Sequence, residues 1–311
     1  MMFAWHPQVF ALKFRVSDLT LWSMQFRVLA RVCSLREVIA GVPDEFSPAS
    51  LDGCEGVVLR SCPGERQEHQ IVRDVSALTY VFASYSHCYI DMSGTFEEYT
   101  RKFSSKSRST VHRKVKKFTS RAGVQLFEFR HGKHAEEYFS LARRVSRLTY
   151  QERLLNAGFP DSPEFFGALA TDAEHNRVRG FVLVDGDRPV AYLHCPVHEH
   201  VLLYGYLGYD PEYAEFSVGT VLFWLALERL FAERLWTHFD FTEGEGEYKR
   251  FYGTNRLPAH HILRLLPSLR RGATLRAHRL FESSMETAAS LAERAGVRRA
   301  FRKMIRRPRA S

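Results

Sequence analysis

Residues 240–253, Asp-Phe-Thr-Glu-Gly-Glu-Gly-Glu-Tyr-Lys-Arg-Phe-Tyr-Gly, bring a carboxylate, a phenol and an ammonium close together in sequence. Asp240 ends an apolar strand, a Gly/Glu loop follows, and Tyr248-Lys249 stands beside two aromatic residues. Groups of these types can take up or supply protons and stabilise developing charge, and α/β proteins place such chemistry at strand ends. The plain alternative is a solvated acidic turn in which Lys249 pairs with Glu245 and Tyr248 joins the core. Glu245 and Glu247 read as surface residues.

A second stretch, Ser217-Val-Gly-Thr220, opens a strongly apolar helix that runs to Leu235. Ser217 can cap that helix, and Gly219 lets a ligand approach backbone N–H groups that have no intrahelical partner. With the helix dipole this makes an anion site. The alternative is an ordinary capped helix packed by Val221, Trp224, Leu225 and Leu227. A third stretch is the basic helix of residues 105–122, with Lys106, Arg113, Lys117 and Arg121 near helical spacing. It reads either as a face for an anionic acceptor or as a solvated surface. Nucleic acid suits it poorly, because only Phe103 and Phe118 are interleaved for stacking. His194, His198 and His200 share strand parity, but no carboxylate or cysteine completes a metal site.

These residues sit in a chain of 311 residues with 45% apolar and 13% aromatic content, enough for a globular fold with two packed subdomains. Its net charge of +9 is local. Residues 101–121 hold nine Lys/Arg and no acid, and residues 296–311 hold seven and no acid; the rest has 28 basic against 35 acidic residues. Five cysteines without a C-x-x-C pair argue against a disulfide framework or zinc ribbon and fit a reducing compartment. No secretory signal is recognised, and the longest apolar run, residues 221–227, is too short to span a bilayer. A soluble cytoplasmic protein is expected.

Along the chain, residues 1–36 read as an aromatic-rich extension. Thr95 and Glu98 form a capping box at a helix start, Gly123 closes the basic helix, and Pro163 occupies the first position of a later helix. Residues 178–184, 190–196 and 201–209 then form a three-stranded antiparallel meander. The helix from Ser217, a strand at 237–241, the charged loop, and a strand at 257–266 follow. Residues 268–307 form a basic helical tail.

The order strand, strand, strand, glycine-opened helix, strand resembles the GNAT acyl-transfer fold. Ser105-Lys-Ser-Arg108 leading into the basic helix, Ser217-Val-Gly-Thr-Val-Leu222, and Asp240-Phe-Thr-Glu-Gly with Tyr248-Lys249 resemble its CelD/BcsL-like acetyltransferase subgroup, related to the FemABX aminoacyl transferases. The resemblance covers roughly residues 80–265 and implies an α/β (α+β) fold: a mixed, mostly antiparallel sheet flanked by helices, in two GNAT-like subdomains with the first incomplete. The divisions are an extension (1–36), an N-terminal GNAT-like subdomain with the basic helix (37–160), a C-terminal acyltransferase subdomain (161–267) and a basic helical tail (268–311).

The resemblance also implies roles. Ser217, Val218, Gly219 and Thr220 fall where the fold binds the pyrophosphate of acetyl-CoA or a longer acyl-CoA, although the usual loop has more than this one glycine. Lys249 would stabilise negative charge, Tyr248 would protonate the leaving thiolate, and Asp240 or Glu243 would act as base or orient the acceptor. Lys106, Arg108, Arg113, Tyr150 and Gln151 are the acceptor contacts, and no metal is required. The expected activity is acyl transfer to nitrogen or oxygen of a sugar, polysaccharide precursor or amino acceptor in envelope or exopolysaccharide synthesis. The alternatives are transfer from aminoacyl-tRNA and a non-catalytic module that binds anionic surfaces. The pattern of residues 298–309 suits either a helix lying on an anionic membrane surface or a solvated terminal helix.

Overall fold

The computed structural model describes residues 3–16, 19–65, 68–149 and 158–294. The chain divides into two compact units, Met1–Ser86 with Leu257–Ser311, and His87–Arg256. Strands β5 (Leu78–Asp91) and β12 (Asn255–Leu265) carry the chain across the two division points.

In the first unit, residues read from sequence as an extension hold two long antiparallel strands, β1 (His6–Val16) and β2 (Leu19–Val32). Strand β3 (Gly56–Pro63) runs parallel to β2 and antiparallel to β12, while β4 (Ile71–Arg73) pairs β5. Alternation places Phe10, Leu12, Phe26, Val28 and Val58 on one face, where they form a core with Tyr80 and Leu275. Leu275 belongs to α8 (Leu269–Arg294), whose His278 Nδ1 bonds the buried Tyr80 hydroxyl at 2.7 Å. Helix α1 (Leu35–Ala40) begins with a capping box between Ser34 and Glu37.

The second unit is a mixed, mostly antiparallel sheet with helices on both faces. From the end of β5 its order is β5, β11 (His238–Asp240), β9 (Val201–Leu203), β8 (Arg188–His198), β7 (Val178–Asp185) and β6 (Val124–Phe129), with β10 (Tyr206–Tyr209) also on β8. Alternate residues of β7 and β8 face opposite ways. Val178, Val182 and Tyr192 pack under α4 (Ala135–Ser146) and α5 (Pro163–Glu174). Phe181, Leu183, Ala191 and Leu193 pack under α6 (Val218–Glu233).

Helix α6 is apolar because it is covered again on its outer side. Phe96 of α2 (Phe96–Arg101) and His112 of α3 (Ser105–Thr119) both lie edge-on to Trp224. Two local signals read from sequence hold here: Thr95 and Glu98 close a reciprocal capping box, and Pro163 stands at the start of α5 behind Ser162. Gly123 does not close the basic helix as expected: α3 ends at Thr119 with Ser120 as its cap, and Gly123 (φ +89°) lies in the turn before β6.

Candidate functional site

The site begins where one strand changes partners. Strand β9 lies parallel to β11 for three residues, ending with Leu203 opposite Asp240. Tyr204 N–H still reaches the Asp240 carbonyl at 2.8 Å, but Gly205 N–H turns to the carbonyl of His194 on β8 at 3.1 Å. From there β10 pairs β8 alone, with Tyr206 opposite His194 and Gly208 opposite Tyr192. Asp210 N–H donates to Val190 O at 2.8 Å, which fixes the alternation. The N–H and C=O of Leu207 and Tyr209 therefore point away from β8, toward a side with no strand among the described residues. The meander read from sequence is thus split at Tyr204-Gly205.

A cavity of about 640 Å³ occupies this opening. Tyr192, Tyr206 and Thr149 line it with Leu207, Gly219, Thr220 and Phe223, and Tyr204, Tyr248 and Tyr252 also contribute. Two glycines allow close packing at and beside this lining. A Cβ on Gly208 would clash with the Tyr192 ring at 2.4 Å, and one on Gly219, which lines the cavity, would make a tight contact of 3.3 Å with the ring of Tyr209. The bare Gly219 thus brings the first turn of α6 against β10.

Of the residues expected at the anion site, Gly219 and Thr220 line the cavity, while Val218 is fully buried in the core below. Ser217 does not cap α6 as expected. It adopts a left-handed conformation (φ 54°, ψ 42°) and its hydroxyl makes no capping bond, because the preceding 3-10 turn, Pro211–Phe216, delivers the chain to the helix at that angle. The first-turn N–H groups of α6 are left without a side-chain cap, and Gly219 and Thr220 of that turn line the cavity.

Helix α7 (Glu247–Tyr252) supplies the opposite wall. Tyr248 and Tyr252 are one turn apart and both reach the cavity. Tyr248 is 43% exposed at the mouth, and burial raises its pKa while a hydrogen bond with Tyr204 offsets part of the rise. Tyr252 is 5% exposed; burial raises its pKa strongly, Thr220 moderates this, and its hydroxyl oxygen closes no hydrogen bond of ordinary geometry.

Lys249 is buried but does not line the cavity. Its ammonium donates to the carbonyl oxygens of Glu243 (2.5 Å), Gly244 (3.1 Å) and Thr242 (3.5 Å). Burial lowers its pKa, and the charge of nearby Asp240 opposes that shift. Asp240 is buried at the end of β11, where its Oδ1 accepts from His87 Nε2 at 2.6 Å and from Thr242 N–H at 2.7 Å. Lys102, not singled out by sequence, donates to the carbonyls of Phe251, Tyr252 and Gly253 at the other end of α7. Its ammonium sits over the rings of Tyr99 and Phe103, and this enclosure pushes its pKa down to about 8 although the residue as a whole is exposed. Two lysines thus tie α7 in place.

Lys106, Arg108 and Arg113 lie on α3 and none lines the cavity; Lys106 and Arg113 are exposed and Arg108 is half-buried. Tyr150, Gln151 and the tail of residues 298–309 lie outside the described residues. Glu245 pairs with Arg250 at 3.1 Å, not with Lys249. Sequence reading missed Tyr192, Tyr204, Tyr206 and Tyr252. The spacing Tyr248-x-x-x-Tyr252 was a visible helical signal, but the strand tyrosines become neighbours only through pairing. Among the described residues no cluster of His, Cys, Asp and Glu could hold a metal ion, and no helix is long and apolar enough to cross a membrane.

Residues 105–250 match the Acetyltransferase (GNAT) domain family. That stretch of the chain therefore carries a GNAT-type acetyltransferase domain, which supports acyltransferase activity. No curated protein matches the chain. Among solved structures it is similar to a C-terminal domain (DUF2156) from Agrobacterium fabrum, at 11% identity and TM-score 0.43 over 58% of this chain and 61% of that one, under two thirds of its length. It is also similar to L-PGS from Bacillus licheniformis (13% identity, TM-score 0.47, 84% of this chain and 86% of that one). A third likeness is to FemX (8% identity, TM-score 0.44, 85% and 88%). At these values the likenesses carry no functional information.

Proposed function

We propose that the protein transfers an acyl group from acyl-CoA to a nitrogen or oxygen of its acceptor. The observation that carries this reading is the parting of β10 from β11 at Tyr204-Gly205, with the start of α6 lining the resulting cavity. An acyl-CoA fits the residues present. The uncapped first turn of α6, at Ser217 to Thr220, suits a pyrophosphate. The outward N–H and C=O groups of Leu207 and Tyr209 suit the amide-bearing pantetheine arm. The buried hydroxyl of Tyr252 supplies a donor in the same cavity.

In this reading Tyr248 keeps its proton to neutral pH and beyond, so it can give that proton to the leaving thiolate. Lys249 and Asp240 act from behind the wall. The ammonium of Lys249 holds the loop before α7, and Asp240 anchors the loop start through Thr242 N–H. Both fix where Tyr248 stands.

The acceptor belongs to the sugar, polysaccharide-precursor or amino-group class tied to envelope synthesis, as the CelD/BcsL-like resemblance implies. Lys106, Arg108 and Arg113 would meet an anionic part of it, Tyr150 and Gln151 would contact it at the cleft, and the basic C-terminal segment would rest on an anionic membrane from the cytoplasmic side. Two GNAT-like subdomains, the first incomplete, belong to the same reading. Aminoacyl-tRNA as donor is the competing chemistry. Thermal denaturation with acetyl-CoA, longer acyl-CoAs and aminoacyl-tRNA separates the two. Stabilisation of about 2.7 kcal/mol is expected at a hundredfold excess of acyl-CoA over its Kd. No shift with any acyl-CoA would overturn the proposal.

A further inference from the structure

The cavity is lined by phenols, hydroxyls and apolar groups, with no carboxylate, imidazole or amine among its described lining residues. Asp240 and Lys249 are engaged with the protein's own groups. A transfer to nitrogen still needs a place for the proton that the acceptor loses.

One buried imidazole stands next to this cavity. His194 lies on β8 with its side chain on the same face as Tyr192, and directly across the ladder from Tyr206, both of which line the cavity. Its ring is boxed by Phe159, Phe165, Tyr206 and Tyr138, with centroids 5.3, 5.8, 6.0 and 6.2 Å away. The residue is 5% exposed, Nδ1 is fully buried without a hydrogen-bond partner, and burial is the one influence on its pKa. A buried polar group left unpaired costs roughly 1–3 kcal/mol, so its retention calls for a reason.

The ring edge points to that reason. A Cβ on Gly205 would lie 3.4 Å from His194 Cδ2, the atom bonded to Nε2. Gly205 also lines the cavity. The missing side chain at the partner switch therefore leaves the Cδ2–Nε2 edge as the next layer behind the cavity wall.

We propose that His194 Nε2 hydrogen-bonds the amino group of the acceptor and takes its proton during transfer. This rests on the acyltransferase reading. The neutral amine attacks the thioester carbonyl to form a tetrahedral adduct with a cationic N–H. That proton passes to His194 Nε2, the C–S bond breaks, and the thiolate takes a proton from Tyr248. The imidazolium then loses its proton to solvent as product leaves, and the Tyr248 phenolate regains one.

The test needs no natural acceptor. Diethylpyrocarbonate, which acylates neutral imidazoles, is expected to modify His194 in the full-length protein at neutral pH, read by mass spectrometry. His194→Gln and His194→Phe are expected to keep the acetyl-CoA thermal shift and the KM for acetyl-CoA. Their transfer to ethanolamine at mildly alkaline pH should fall by about a hundredfold or more. The inference is overturned if His194 stays unmodified while the exposed His131 and His200 react, or if both variants transfer at the wild-type rate. An absent acetyl-CoA shift in the wild type and both variants would overturn the acyltransferase reading as well, which separates the two failures.

Discussion

Lys249 donates to the carbonyl oxygen of Glu243, six residues earlier, at 2.5 Å, and so closes the loop between β11 and α7 from inside. Removing the ammonium would leave three partly buried carbonyls without this donor. Lys249→Met should destabilise the protein by about 2–3 kcal/mol, the range for hydrogen bonds to charged groups. Urea denaturation measures this, and a loss under about 0.5 kcal/mol would mean the loop closes without the lysine. If Lys249 acts by holding α7, kcat should fall in parallel with the loss of loop order seen by hydrogen exchange.

Gly219 and Tyr252 predict opposite effects on stability but the same effect on ligand. Gly219→Val pushes against the Tyr209 ring, which already lies 3.3 Å from a Cβ placed there. It should cost about 1–3 kcal/mol as an overpacked site and weaken acetyl-CoA binding at least tenfold by calorimetry. Tyr252→Phe removes a buried hydroxyl that closes no ordinary hydrogen bond, so the free protein should be as stable as wild type or slightly more so. Its acetyl-CoA affinity should still fall several-fold. Unchanged affinity in both variants would place the cofactor elsewhere.

Ser217 holds a left-handed conformation without a capping bond in return. An L-residue in that region costs roughly 1–2 kcal/mol relative to a right-handed one, and glycine is largely free of that cost. Ser217→Gly is therefore expected to raise stability by about 0.5–1 kcal/mol, read as an increase in Tm. A clear loss of stability would show that the serine hydroxyl does bind the chain.

His194 gives the protein a specific weakness to acid. In the folded chain its pKa is lowered from 6.5 to about 3, so folded His194 stays neutral where the unfolded chain takes up a proton. Stability from this group is full above about pH 6.5 and is lost as pH falls toward 3. The loss is on the order of 5 kcal/mol at 1.36 kcal/mol per pKa unit. The titratable groups packed against the ring, Tyr138 and Tyr206, are phenols that remain neutral across this range. Urea midpoints at pH 7 and pH 4 should converge in His194→Phe relative to wild type. An acid limb identical to wild type would show that His194 is not the buried neutral base described here.

Local signals were legible because each depends on a few adjacent residues. Thr95 with Glu98 and Ser162 with Pro163 could be read from spacing, and each takes the expected geometry, whereas the basic helix is capped at Ser120 and not at Gly123. The alternation of residues 178–209 announced antiparallel strands. Ser217 escaped this kind of reading. Whether it caps α6 depends on the angle at which the 3-10 turn enters the helix, and nothing in Ser-Val-Gly-Thr encodes that angle.

The sequence by itself determined most helices and strands between residues 81 and 266, though not the long strands β1 and β2 in the stretch read as an extension. It showed where the charged loop of residues 240–253 falls and that a glycine opens α6. Those follow from periodicity and turn chemistry within a few residues. The tertiary structure decided what faces what. It turned Lys249 toward the carbonyls of its own loop, paired Asp240 with His87, and brought Tyr192, Tyr206 and Tyr252 around one cavity. The physical reason is the partner switch at Tyr204-Gly205. Strands far apart in sequence must pair before either face of that break exists, and only then does His194 lie behind the wall of a pocket.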